Sequence, residues 1–229
     1  MRKFNKLSLT AVAASAAFIG FTQSASAEVE LETAFIFNTL SFMFHGVLVM
    51  WMAAGFAMLE AGLVRTKNTT MQLTKNIALY SVAGIMFWAV GYNLMYLNVT
   101  DYIGSFAIWS ADDALMVVNA DTDDEATVFD PVKGAALAAD GFLYGTASDW
   151  FFQMVFVAAT ASIVSGALAE RIKLLPFLIF TVVLTGFIYP IQGSWTWGQG
   201  WLTQMGFSDF AGSTIVHSVG GWAALTGAI

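Results

Sequence analysis

A single histidine stands in an otherwise apolar stretch, residues 209–229, and is the first candidate for chemistry in this chain. Because a helix rises about 1.5 Å per residue, His217 would lie roughly 12 Å beyond Asp209, inside the hydrocarbon layer of a bilayer. An imidazole at that depth either hydrogen-bonds a neighbouring helix or holds and passes a proton. Asp209 opens the stretch as a good helix N-cap, with its carboxylate against the positive helix end.

The helix predicted over 209–229 carries small residues on the same stripe as its histidine. A period of 3.6 residues brings together Ser213, His217, Gly220, Gly221 and Ala224. A face of small residues lets another helix approach closely or leaves room for something to pass.

Three further features offer chemistry with a structural alternative beside it. Glu60, near the end of the first apolar segment, pairs with a base, reaches the membrane interface or relays a proton. His45, in the same segment, is expected to be a buried, hydrogen-bonded histidine. The turn 193–207 reads GSWTWGQGWLTQMGF, and its three tryptophans form an interfacial belt or offer a π face to a cation.

The composition is that of a membrane protein. Hydrophobic residues make up 58% of the chain and charged residues 11%, about half the charge of a typical soluble domain. The absence of cysteine excludes disulfides, thiolate metal sites and cysteine nucleophiles. No basic cluster suits nucleic acid, the acidic run 121–125 lacks the glycine of a calcium loop, and no nucleotide-binding or zinc-protease motif occurs. We therefore predict a protein that is not an enzyme and has no metal or cofactor.

A targeting segment and five membrane segments account for most of the chain. Residues 1–27 predict a signal peptide, with a positive start, a short apolar run and an Ala-Ser-Ala cleavage site, so the membrane domain covers 28–229. Each of five apolar segments is long enough to cross a bilayer as a helix. They lie at 34–64, 72–97, 149–169, 174–192 and 209–229.

The distribution of charge predicts the orientation. Cleavage after residue 27 leaves the mature N-terminus outside the cytoplasm, so segments one and two, and three and four, are joined inside. The basic residues near these joints are Arg65, Lys67, Lys75, Arg171 and Lys173. This agrees with the rule that positive charge stays inside, and we predict a multi-pass protein of the cell (inner) membrane. The acidic connection 98–148 then lies outside, as a solvated face or as a surface that concentrates cations.

Three stretches carry a resemblance to a known family. GFAMLEAGLVRTKN ends the first segment, FFQMVFVAATASIVSGALAERIK crosses the third, and DFAGSTIVH opens the fifth. In this order and spacing they resemble the ammonium transporter family, the Amt branch of the Amt/Rh superfamily. The resemblance implies an all-α membrane fold of eleven helices, with two five-helix halves of inverted topology, assembled as a homotrimer. The five predicted transmembrane helices of this chain resemble the first half.

The resemblance also implies roles for individual residues. His217 matches the first of two histidines that line the pore. Asp209 matches an aspartate that supports an ammonium-recruitment site, and Trp197 matches a vestibule tryptophan that supplies a cation–π wall. Phe156 matches one of two stacked phenylalanines that close the pore, and Phe152 lies one turn before it.

The function implied by the resemblance is transport of ammonium, and of methylammonium, across the membrane. Since an unpaired charge is costly to bury, the hypothesis is that ammonium sheds water in the vestibule, gives up a proton and passes as ammonia through the histidine-lined pore. A PII-type regulatory protein on the cytoplasmic side is the implied partner. Two alternatives stay open: an ammonium-sensing receptor domain of a signalling protein, and a haem-bearing redox protein with His45 and His217 as axial ligands.

Overall fold

Long apolar runs fold as helices because backbone polar groups inside lipid must be hydrogen-bonded within the chain. The computed structural model describes residues 29–109, 116–118, 127–139 and 141–229. Its α-helices in these ranges are α1 Leu31–Leu63, α2 Thr69–Met86, α3 Tyr92–Tyr96, α4 Pro131–Ala139, α5 Thr146–Ala167, α6 Leu174–Val183, α7 Tyr189–Ser194, α8 Trp201–Gln204 and α9 Val219–Ala228. A short 3₁₀ turn precedes α2, and π-helical turns occur at Phe87–Gly91, Leu184–Ile188 and Ser213–Ser218.

Four helical stretches of the described chain are long and apolar enough to cross a membrane. They are Leu31–Leu63, Thr66–Tyr96, Thr146–Ala167 and Leu174–Ser194, and they correspond to the first four predicted segments. The prediction of a helical membrane fold is therefore confirmed. The fifth segment is shorter as a helix than the sequence suggested, because it becomes helical only at Ser213 and ends at Ala228. At about 1.5 Å per residue these 16 residues span about 24 Å, slightly less than a typical hydrocarbon layer.

The core is built around α5. Helices α1, α2 and α9 all pack against it, and its contact surface consists largely of small buried side chains such as Ala158, Ala161 and Ser165. Small side chains let helices approach closely inside a membrane, where van der Waals packing rather than the hydrophobic effect holds them together. The large buried side chains of Phe87 and Tyr189 fill the space between the second and fourth spans and α5.

Two of the π-helical turns lie side by side, Phe87–Gly91 in the second span and Leu184–Ile188 in the fourth. Glycine is required at position 91, because a Cβ there would lie 2.6 Å from the Phe87 ring and 3.2 Å from the carbonyl oxygen of Thr185. The Thr185 hydroxyl donates to the Thr181 carbonyl at 2.7 Å, which satisfies a carbonyl near the irregular turn. The widened turns thus fit the two spans against each other.

Part of the long connection between the second and third spans is folded. Strands β1 Met116–Val118 and β2 Thr127–Phe129 pair antiparallel, with Met116 opposite Phe129. The Phe129 ring packs 5.7 Å from that of Phe35 on α1, and α4 packs on the same helix. The predicted signal peptide and most acidic residues of the connection lie outside the described residues.

Candidate functional site

A cavity of about 410 Å³ lies at the end of the helix bundle opposite the turns that carry Arg65 and Arg171. We call it the aromatic cavity, and we call the end with those arginines the basic end. Since a water molecule occupies about 30 Å³, the aromatic cavity has room for a small hydrated ion. Its aromatic and acidic lining residues are Phe42, Tyr96, Phe142, Tyr144, Asp149, Phe152, Phe156, Trp197, Phe207, Asp209 and Phe210.

Four of these aromatic rings form a continuous wall. Phe152 and Phe156 lie one turn apart on α5 and meet edge to face, with ring centroids 5.1 Å apart. Phe156 continues the contact to Trp197 at 5.7 Å, and Phe152 continues it to Phe42 of α1 at 5.1 Å. These separations are typical of favourable aromatic pairs. Three residues that the sequence singled out, Phe152, Phe156 and Trp197, are therefore brought together.

Trp197 lies in the turn between α7 and α8 and is fixed by its polar edge. The indole Nε1 donates a hydrogen bond of 2.7 Å to the backbone carbonyl of Asp209. The same turn is closed by the Thr203 hydroxyl, which donates to the Thr196 carbonyl at 2.6 Å. A partly buried indole held in this way can offer its ring to a cation, and indole is the best cation–π partner among the side chains.

The carboxylate of Asp209 caps the helix that carries His217. Oδ1 accepts from the backbone N–H groups of Gly212 and Ser213 at 2.9 and 3.0 Å, and Oδ2 from those of Thr214 and Ile215 at 2.7 and 2.9 Å. The expectation that this carboxylate meets the positive helix end is confirmed. The N-cap position itself belongs to Gly212, so Asp209 caps from three residues earlier.

Gly212 makes this arrangement possible. Its φ angle is +82°, in the left-handed region that favours glycine. A Cβ at this position would also lie 2.6 Å from Cγ2 of Val216 and 3.2 Å from the Trp197 ring. The glycine of the DFAG stretch therefore serves both the turn and the packing of the aromatic wall.

His217 lies in the π-helical turn Ser213–Ser218, and its side chain is exposed. Along the predicted stripe of small residues, Gly220 and Ala224 are buried while His217 and Gly221 are exposed. The hydroxyl of Thr160 on α5 donates to the Val216 carbonyl at 3.2 Å and fixes the turn next to His217.

The sequence model of the Ammonium Transporter Family matches residues 40–229. The chain belongs to the ammonium transporter family. Relatives include the ammonium transporter Amt2 of Archaeoglobus fulgidus, 38% identical over 190 residues, and the ammonium transporter Amt2 of Haloferax mediterranei, 39% identical over 181 residues. Each alignment covers 79% of this chain and 35% of the relative, so the chain spans about a third of the length of these two proteins.

Solved structures agree with this assignment. A protein described as a sensor Amt protein superposes with a TM-score of 0.67 at 32% identity, over 82% of this chain and 42% of its own. A Mep2 variant from Candida albicans superposes with a TM-score of 0.65 at 26% identity, over 82% of this chain and 38% of its own. This chain of the ammonium transporter family is therefore a multi-pass membrane protein that shares the fold of the matched parts of these structures.

The sequence reasoning missed a second carboxylate in the aromatic cavity. Asp149 in the first turn of α5 is 3% exposed, and its Oδ2 accepts from the Tyr92 hydroxyl at 2.6 Å. Its Oδ1 accepts from Nε2 of Gln153 at 3.2 Å. Helical spacing could have found it, because Asp149 lies three residues before Phe152 and thus on the same face of α5. Burial, and secondarily Asp149, raise the pKa of Tyr144 far above its usual value, so Tyr144 lines the cavity as a neutral phenol.

Glu60 lies in a buried polar cluster of the helix bundle. It is 2% exposed, and its Oε2 accepts hydrogen bonds from the side chains of Gln72, Asn76 and Ser165, the last two at 2.7 and 2.8 Å. Lys75, also buried, donates to the Ser165 carbonyl at 2.9 Å. Donors from α2 and α5 satisfy Oε2 inside the bundle, whereas Oε1 is buried without a hydrogen-bond partner among the described residues. The cluster joins α1, α2 and α5 near the basic end.

His45 is hydrogen-bonded as expected, but it is not buried. Its Nδ1 lies 2.7 Å from the Ser41 carbonyl one turn earlier, and the residue is exposed. Its neighbours Phe37, Leu40 and Phe44 are exposed as well. The prediction of burial failed because this face of α1 is not covered by the described part of the chain.

Glu170 ties together the two turns at the basic end. Its carboxylate accepts from Nδ2 of Asn68 at 2.6 Å, from the backbone N–H of Arg65 at 2.9 Å and from Nε of Arg65 at 3.1 Å. The residue itself is held in the left-handed region, with a φ of 62°. These hydrogen bonds, from Asn68 first and then from Arg65, lower the pKa of Glu170 to about 2.

Candidate metal ligands are dispersed in the part of the chain that the structure describes. No group of three His, Cys, Asp or Glu side chains is placed there to hold a metal ion, and the acidic run 121–125 lies outside those residues. The aromatic cavity instead offers carboxylates, hydroxyls, amides and aromatic rings. Such groups bind small cations through hydrogen bonds and electrostatic attraction.

Proposed function

We propose that the complete protein conducts ammonium or ammonia across the membrane and recruits ammonium in the aromatic cavity. The observation that carries this proposal is the juxtaposition of Trp197, Phe156 and Phe152 along one cavity wall, beside buried carboxylates. Ring faces attract a monovalent cation that has lost part of its water. Membership of the ammonium transporter family identifies ammonium as the cation to test.

In this mechanism Trp197 and Phe156 replace part of the hydration shell of the incoming ion. The charge is costly to carry further into an apolar channel, so ammonium gives up a proton and ammonia continues past the phenylalanine rings. His217 then lines the pore, where its ring nitrogens hydrogen-bond ammonia and take part in moving the proton. Potassium lacks a proton to lose, which accounts for its exclusion.

Asp209 supports this site chiefly by positioning. Its backbone carbonyl holds the indole of Trp197, and its carboxylate holds the start of the helix that carries His217. One residue therefore sets the relation between the recruiting ring and the pore histidine. The role of Asp209 in binding ammonium directly stays a prediction.

We also infer the orientation and the setting. Arg65, Lys67, Arg171 and Lys173 lie at the turns that join the first span to the second and the third to the fourth. The rule that positive charge stays inside puts this basic end in the cytoplasm and the aromatic cavity outside, in the cell (inner) membrane. A signal peptide over 1–27, a homotrimer and a PII-type partner at the basic end stay predictions.

The direct test is an ammonium concentration jump on proteoliposomes that contain the complete protein, with current and internal pH recorded together. We expect a saturable response to ammonium and none to potassium. A current shows charge transport, and a pH change without current shows passage of neutral ammonia. The absence of both signals would refute transport and leave the sensing alternative, which predicts ammonium binding without flux.

The two histidines supply a matched pair of variants. His217→Ala removes the titratable nitrogens of the proposed pore, and we expect a changed rate of ammonium transport or a loss of potassium exclusion. His45→Ala removes an exposed histidine on α1 that has no place in the mechanism, and we expect no change. Identical behaviour of the two variants would contradict the role of His217.

A further inference from the structure

The polar part of the aromatic cavity's lining carries unsatisfied groups. Thr196 Oγ1, Gln153 Oε1 and the Tyr96 hydroxyl are buried, and none of them has a hydrogen-bond partner among the described residues. All three residues line the aromatic cavity, and Thr196 is only 4% exposed. Since a buried polar group without a partner is costly, three beside the same cavity indicate that the cavity holds something that donates hydrogen bonds.

Asp149 adds a negative charge to the polar part of the lining. Each of its carboxylate oxygens accepts one hydrogen bond from a neutral donor, Tyr92 on one oxygen and Gln153 on the other. A carboxylate oxygen can accept about two hydrogen bonds, so each oxygen keeps accepting capacity. The ion pairs found in the described chain, Arg65–Glu170 and Lys133–Asp130, do not involve Asp149. Its charge is thus left to a ligand of the cavity.

Asp209, the other carboxylate of the cavity, has its oxygens fully hydrogen-bonded. Both oxygens of Asp209 already accept two backbone N–H groups each, so their accepting capacity is used by the helix end. The positive end of the helix also compensates the charge of Asp209. Of the two carboxylates, Asp149 is therefore the one available to a cation.

We propose that Asp149, with Gln153, Thr196 and Tyr96, forms an ammonium-binding subsite in the polar part of the aromatic cavity's lining. Ammonium carries four N–H donors, and these four residues supply oxygen acceptors, while the rings of Trp197 face the same cavity. The subsite deepens the proposed function and rests on it for the identity of the ligand. Asp149 binds the substrate, and Asp209 holds the surrounding structure in place.

The first experiment uses the complete protein in proteoliposomes and compares Asp149→Asn with Asp130→Asn. We expect Asp149→Asn to raise the half-saturating ammonium concentration at least about tenfold, the loss of one charge-assisted hydrogen bond, with a smaller effect on the maximal rate. Asp130 caps α4 and is not among the residues that line the aromatic cavity, so its variant should keep the wild-type concentration dependence. An unchanged half-saturating concentration in Asp149→Asn would overturn the subsite and leave transport standing.

Two further measurements keep the proposal falsifiable if Asp149→Asn folds poorly or if the protein does not transport. Thr196→Val removes one proposed acceptor with little change in shape, and we expect it to raise the half-saturating concentration about threefold to tenfold. Ammonium chloride, compared with sodium chloride, should also raise the thermal unfolding midpoint of the wild-type protein more than that of Thr196→Val or Asp149→Asn. Loss of this shift in the variants supports the subsite even without flux, and an equal shift in all three proteins refutes it.

Discussion

Replacing Asp209 by asparagine tests the claim that one carboxylate organises the pore side of this chain. The substitution keeps the size of the side chain but turns one of the two oxygens into an NH₂ donor. Each oxygen accepts two backbone N–H groups at 2.7 to 3.0 Å. Asp209→Asn therefore loses two hydrogen bonds to a charged acceptor. The new NH₂ group also faces two backbone N–H groups, to which it cannot hydrogen-bond.

The expected cost follows from these bonds. A hydrogen bond to a charged group contributes about 1.5–3 kcal/mol to stability, so two of them amount to about 3–6 kcal/mol. The charge at the positive helix end adds about 0.3–1 kcal/mol. Asp209 is 8% exposed, so water replaces little of what is lost. We expect the free energy of unfolding to fall by at least about 3 kcal/mol.

Thermal unfolding of the complete protein in detergent, followed by tryptophan fluorescence, measures this effect. At about 2–4 °C per kcal/mol, Asp209→Asn should lower the midpoint by about 6 °C or more. The matched control is Asp130→Asn, because Asp130 also caps a helix but accepts its two backbone bonds, from Val132 and Lys133, on one oxygen that asparagine retains. Asparagine and aspartate are nearly equal as caps, so this midpoint should hardly move.

The order of the variants decides the question. Asp209→Ala, which removes all four bonds, should be less stable than Asp209→Asn, and both should be less stable than Asp130→Asn. If Asp209→Asn unfolds at the same temperature as Asp130→Asn, the carboxylate does not hold the helix end. The positioning role assigned to Asp209 would then be refuted.

Three further predictions use the same unfolding measurement. Gly212→Ala should lower the free energy of unfolding by about 2–4 kcal/mol, because the new Cβ is strained in the left-handed region and meets Val216. Gly206→Ala has a similar φ but open space around it, so it should cost only about 1–2 kcal/mol. Equal losses in the two variants would show that the contact with Val216 does not contribute. Glu60→Ala leaves three buried donors without their acceptor and should lower the free energy of unfolding by about 3 kcal/mol or more. Glu32 is exposed in the first turn of α1, so Glu32→Ala should lower it by less than about 1 kcal/mol. Folding lowers the pKa of Glu170 from 4.5 to about 2, so its contribution to stability is complete above pH 4.5 and is lost as the pH falls towards 2. In Glu170→Gln the thermal unfolding midpoint should therefore decline less between pH 5 and pH 2 than in the wild-type protein.

The amino-acid sequence by itself determined the helical membrane architecture. Runs such as 34–64 and 149–169 are apolar over more than the thickness of a bilayer, and a backbone in lipid has few alternatives to a helix. The ends of the helices were predicted less closely. The first segment was expected to begin at residue 34, whereas α1 begins at Leu31. Motif order in the stretches around Glu60 and Asp209 was likewise enough to identify the ammonium transporter family.

The tertiary structure alone decided which polar groups are used up and which are free. Asp149 and Asp209 are both acids at the start of a predicted helix, yet four backbone donors saturate one and two neutral side chains leave the other with spare capacity. Tertiary contacts also decided the burial of Glu60 and His45. Glu60 is buried among donors from other helices, whereas His45 stays exposed. The π-helical turn around His217 was also beyond the sequence, because the same residues suit an α-helix. The hydrogen bonds Tyr92–Asp149, Thr160–Val216 and Ser165–Glu60 join residues more than fifty positions apart, and local pattern carries no record of them.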